Sequence, residues 1–161
     1  MQNCVCRFGL IAAIVGITVL SGAVPFAQGA DPFVGTWVLN VDKSQFQAAG
    51  AAVRARTIIA DTKGDMIVFT QNTYRVGQDG VAKITYEARY DGKDYPVTGG
   101  AFSQVSITRA DNVLTRKGKE RGMEVETATF SVSPDGMTLT VVTKGNNYGQ
   151  TYGSTQIFEK K

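Results

Sequence analysis

The sequence contains no histidine, and its two cysteines, Cys4 and Cys6, both fall within the first seven residues. Without histidine the chain lacks the usual general base near neutral pH and the commonest metal ligand. Ser-His-Asp and Cys-His catalysis are excluded outright. No Gly-x-Ser-x-Gly elbow, phosphate-cradling glycine loop or calcium loop is present either. Charge of one sign is also scarce in excess: 17 Lys and Arg stand against 14 Asp and Glu. That is too even a balance for the concentrated basic face of a nucleic-acid binder. These absences point away from an enzyme, a metal site or a bound cofactor.

Long apolar runs are missing except at the start. Residues 1–7 carry one positive charge, Arg7, and residues 8–27 are uncharged and mostly apolar. This is the pattern of a secretory signal peptide, with small residues in Ala27-Gln28-Gly29 placing cleavage near Gly29 or Ala30. An uncleaved anchor is the alternative, because the run approaches the roughly 20 residues that span a bilayer. Gly22 and Pro25 interrupt it and favour cleavage. Neither cysteine follows the run, so lipid attachment there is not expected. The expected organisation is a signal over 1–30 and a lipocalin-like β-barrel domain over 31–161. The expected address is exported, periplasmic or secreted, with no stable membrane insertion after cleavage. Cleavage removes both thiols, so stability must come from packing, and a domain of about 130 residues buries enough surface for that.

From Phe33 onward the reading is strand, turn, strand. Ala82, Ile84, Tyr86, Ala88 and Tyr90 alternate with Lys83, Thr85, Glu87 and Arg89, which gives the stretch 81–90 one apolar and one wet face. Further strands are expected over 34–40, 54–62, 66–76, 95–98, 105–109, 112–117, 123–132, 137–144 and 151–159. Lys63-Gly64-Asp65, Gln78-Asp79-Gly80, Asp91-Gly92, Ser133-Pro134-Asp135-Gly136 and Gly145-Asn146-Asn147 supply turn chemistry. Short joints between sequential strands predict an all-β chain: a single up-and-down antiparallel barrel of about eight to ten strands, closed so that no edge is exposed. A sandwich is the alternative. One segment departs from the rhythm: Ser44 is placed to cap a short helix within 43–53, either a plug at one barrel end or a lid.

Phe33-Val34-Gly35-Thr36-Trp37-Val38-Leu39 resembles the opening strand of calycins, whose Gly-x-Trp signature sets a tryptophan across one barrel end. The stretch 62–68 resembles a hairpin of fatty-acid-binding proteins, and 154–160 their closing strand. A closer resemblance is to a poorly characterised group of small exported bacterial proteins. It rests on Gly35 to Ser44, on the Asp-Gly-Lys-Asp-Tyr-Pro-Val-Thr-Gly stretch over 91–99, and on the Ser-Pro-Asp-Gly turn from Ser133. The resemblance implies a barrel and an exported address, not an activity. Where fatty-acid-binding proteins hold a carboxylate with an Arg and a Tyr on the last strand, this chain has Gln156 and Phe158. An amide lacks the fixed charge and the bidentate fork. The stretch 123–132 contains no arginine to replace it.

The function expected from these readings is non-enzymatic binding of a small, largely apolar ligand, with Tyr74, Tyr86, Tyr90, Gln156 and Phe158 as candidate lining residues. The tyrosines alternatively pack a barrel filled by its own side chains. In that case the chain is an envelope structural or interaction protein without a ligand. Trp37 reads as barrel packing. Glu124 and Glu126 share a strand face at period two and read as a solvated outer pair, with an acid–base pair as the alternative; Lys117, Lys119, Glu120 and Arg121 read as a solvated turn, with an anionic surface partner as the alternative.

Overall fold

The structure, a computed structural model, describes residues 31–47, 52–147 and 149–161. Ten strands follow one another in chain order: β1 (Gly35–Gln47), β2 (Val53–Lys63), β3 (Met66–Arg75), β4 (Ala82–Ala88), β5 (Asp91–Thr98), β6 (Gln104–Ala110), β7 (Val113–Glu120), β8 (Met123–Val132), β9 (Thr138–Asn147) and β10 (Gln150–Lys160). Each pairs antiparallel with the next, and β1 pairs with β10, so the sheet closes on itself. The expected up-and-down barrel is the fold. Turn chemistry explains its connectivity: Arg121 and Gly122 both have positive φ, at 51° and 77°, which matches the twist of the β7–β8 hairpin.

The expected helix over 43–53 is not what the structure holds at its start. Residues 43–47 continue β1, residues 48–51 lie outside the described residues, and no helix occurs among the described residues. The register between β1 and β10 shifts between Asn40 and Gln45. Ser44 serves that bulge rather than a helix terminus: its Oγ donates to Asn40 O at 2.6 Å and accepts from Ile157 N at 3.0 Å. Two other boundaries also move. Lys117, Lys119 and Glu120 belong to β7, leaving the turn to Arg121-Gly122. Strand β4 stops at Ala88 and β5 begins at Asp91, so Tyr90 sits in the joint and Asp91-Gly92 opens a strand. The segment expected to be a signal peptide, 1–30, lies outside the described residues.

Inside the barrel the registers stack side chains in rows. At the end where β1 begins, here called the floor, Trp37 and Phe158 are fully buried among Leu39, Ile58, Ala60, Val132 and Leu139. The Trp37 indole Nε1 donates to Phe33 O at 2.9 Å, and Lys160 Nζ lies 5.0 Å from its ring centroid. Above them Phe69 stacks on Tyr86, centroids 4.7 Å apart, and meets Phe130 edge-on at 6.0 Å. Each such side chain stabilises the fold by about 1.5–3 kcal/mol through burial. The void left in this apolar half is about 20 Å³, room for about one water molecule. The lower barrel is therefore filled.

Candidate binding site

The upper half has a different chemistry. Four inward residues lie side by side across β7 to β10: Gly118 opposite Glu126, Glu126 opposite Gly145, and Gly145 opposite Tyr152. The row beneath is Arg116, Ala128, Thr143 and Ser154. Alternation alone places them there, because Leu114 and Phe130 on the same faces belong to the core. The glycines create space that rings fill. A Cβ on Gly145 would lie 2.2 Å from the Tyr152 ring, and one on Gly118 would lie 2.7 Å from the ring of Phe102, which reaches in from the β5–β6 connection.

Arg116 is the centre of this layer. It is 4% exposed, and its Nη2 donates to Glu126 Oε1 at 2.6 Å. Tyr152 donates its hydroxyl to the other oxygen, Oε2, at 3.0 Å. Nε and Nη1 of Arg116 are buried with no hydrogen-bond acceptor. They are surrounded by Phe69, Phe102 and Phe130, whose ring centroids lie 5.8, 5.4 and 5.3 Å from the guanidinium carbon. Ring faces attract the cation but are weaker acceptors than oxygen. Burial works against the Arg116 charge, yet Tyr86 and Glu126 outweigh it and hold the guanidinium above its ordinary pKa. Burial also pushes the Tyr86 and Tyr152 phenols up.

A second guanidinium enters from β2. Arg56 donates from Nε to Thr73 Oγ1 at 2.9 Å and from Nη1 to the amide oxygen of Gln156. Gln156, 4% exposed, donates in turn from Nε2 to Ser154 Oγ at 2.7 Å. Both acceptors of Arg56 are neutral. Burial, followed by the neighbouring charge of Arg75, lowers the Arg56 pKa to about 10.

The five sequence candidates separate. Tyr86 and Gln156 face the interior at mid-height; Phe158 packs at the floor, opposite Leu39 and Leu139. Tyr90 also stands at the floor, where its hydroxyl donates to Asp31 Oδ2 at 2.8 Å beside the Arg109–Asp31 ion pair of 3.1 Å. Tyr74 follows inward-facing Thr73 and is 37% exposed on the outside, in an open groove of about 410 Å³ with Arg54 and the β3–β4 turn. The reading of Glu124 and Glu126 as one outer pair is corrected. A register shift after Gly118 places Glu124 opposite Lys119 and Glu126 opposite Gly118, with Val125 as the extra residue. Glu124 points out to Lys117 at 3.0 Å and to Thr127 at 2.5 Å, whereas Glu126 points in. Arg56, Phe102, Arg116, Glu126 and Tyr152 were not among the sequence candidates. Alternation from Ile58 and from Leu114 would have placed both arginines inward.

No protein-family model matches the chain, and no curated protein matches its sequence. Solved structures do match. Zebrafish ileal bile-acid-binding protein complexed with cholic acid superposes with a TM-score of 0.56 at 12% identity, over 81% of this chain and 100% of that one. Rv2717c from M. tuberculosis gives a TM-score of 0.57 at 12% identity, over 86% of this chain and 98% of that one. At such identity the likeness speaks to architecture, and the chain has a calycin-like fold.

Proposed function

We propose that this chain is an exported, non-enzymatic barrel that binds one small ligand in its upper half, with a largely apolar body and one acceptor group. The observation that carries the reading is the buried Arg116 guanidinium, whose Nε and Nη1 make no hydrogen bond although the Tyr86 phenol lies close by. A buried donor left without an acceptor costs about 1–3 kcal/mol, so a fold that keeps two of them has a use for them. A bound acceptor group would satisfy them, and the rings of Phe69 and Phe130 would face its apolar part. The structural neighbour whose complex contains cholic acid supports small-ligand binding as a general use of such a barrel.

Native mass spectrometry of the protein secreted from its full-length precursor tests this. The expected result is a retained small molecule, lost on Arg116→Met, in a chain whose first residue lies close to Asp31. Protein that is empty in repeated preparations and takes up no apolar dye would overturn it. The filled lower barrel, with its void of about 20 Å³, favours a second reading: an envelope structural or interaction protein with no ligand. That empty result would be its signature.

A further inference from the structure

The upper interior is short of one negative charge. Arg56 and Arg116 both reach into it, while the one carboxylate at ion-pair distance from either, among the described residues, is Glu126, already engaged by Arg116 and Tyr152. Arg56 has to make do with a hydroxyl and an amide. A partly buried guanidinium that meets only neutral acceptors keeps its charge uncompensated, which an anion beside it would offset. Beneath the arginines the barrel is full, so an anion seated between them has no slot below for a long tail.

Resting on the binding reading above, we infer that the ligand is a compact organic monoanion whose charged group sits between Arg56 and Arg116, and that the Phe102 ring occupies part of its seat in the empty barrel. Of the three rings around Arg116, Phe69 and Phe130 belong to strands, but Phe102 lies on the β5–β6 connection. Its neighbour Ser103 is pinned by an N–H bond to Lys119 O at 3.0 Å, so displacing the ring calls for a side-chain rotation rather than a backbone shift. The ring packs on Gly118 and beside the Arg116 guanidinium, so it covers the free nitrogens directly. Swinging it out exposes Nε and Nη1 of Arg116 to an incoming oxygen.

Calorimetric titration of the purified chain with benzoate and octanoate, each beside its amide, tests the inference. The carboxylates are expected to bind at least tenfold more tightly than the amides. Hexadecanoate should gain nothing over octanoate. Arg56→Met, a half-buried site outside the floor core, should remove the tenfold preference while the melting transition stays cooperative. Phe102→Ala should strengthen carboxylate binding by relieving the competition. Equal binding of acids and amides, or a preference that survives Arg56→Met, would sink the anion while leaving a binding barrel intact. A large gain for hexadecanoate would refute the size limit. If neither acid nor amide binds, the anion proposal fails, and the mass-spectrometric result then decides whether the binding reading fails with it.

Discussion

Arg116 and Glu126 face each other diagonally across β7 and β8, joined by a bond of 2.6 Å between Nη2 and Oε1, although their direct strand partners are Ala128 and Gly118. Diagonal neighbours on one sheet face are within reach of long side chains, and both side chains here are largely buried, at 5% and 13% exposure. Removing only the carboxylate strands the guanidinium. Glu126→Ala is expected to cost about 3–5 kcal/mol of stability, whereas the paired change Arg116→Met with Glu126→Leu should be close to neutral. Urea unfolding of both variants checks this, and a double variant as unstable as the single one would contradict it.

Trp37 closes the floor. It is fully buried and donates to Phe33 O. Trp37→Ala should destabilise by about 3–5 kcal/mol through the cavity it leaves. Thermal unfolding followed by far-ultraviolet circular dichroism is the measurement, and a loss under about 1 kcal/mol would show that the floor collapses to fill the space.

Gly118 tests the seat of Phe102. Its backbone is not in the left-handed region, so Gly118→Ala introduces a clash with the ring without backbone strain. We expect a loss of about 1–3 kcal/mol and faster hydrogen exchange at Phe102 and Ser103. Unchanged exchange there would mean that the ring adjusts in place.

At the floor, Asp31 accepts from Tyr90 and pairs with Arg109, whose guanidinium carbon lies 5.5 Å from the ring centroids of Phe33 and Tyr90. Asp31→Ala should cost about 1.5–3 kcal/mol, the range for a hydrogen bond to a charged group. Chemical denaturation checks it, together with near-ultraviolet circular dichroism for the packing of Tyr90. An unchanged midpoint would mean that this corner is solvated.

The pH response has opposite signs at its two ends. Hydrogen bonds and neighbouring cations hold Asp65, Asp91, Glu124, Asp135 and Glu159 below their ordinary carboxylate values, with Lys43 acting first on Glu159. The unfolded chain therefore takes up protons first as pH falls, and stability present above about pH 4–5 should decline below it, modestly because these groups are exposed. Arg56 behaves in reverse. With its folded value lowered to about 10, the unfolded state holds the proton longer, so this group adds stability as pH rises through about 10. Anion binding should weaken over the same rise. Melting and titration series across both ranges would reveal either sign reversed.

The amino-acid order by itself favoured the barrel over a sandwich. Inward Tyr86 and Ala88 alternate with outward Glu87 and Arg89, short turns join consecutive strands, and only closure satisfies the edges of β1 and β10. It also carried an unused signal, since counting by twos from Leu114 reaches Arg116 and then Gly118. What the tertiary structure alone decided is the partnership. The extra residue Val125 turns Glu126 inward and Glu124 outward, an offset that no periodic pattern within β8 announces. Closure then brings Arg56 of β2 to Gln156 of β10, 100 residues away in the chain, around a site whose charges no single strand contains. Local periodicity sets which face a side chain takes; the meeting of charges depends on register across strands, and register is a property of the folded sheet.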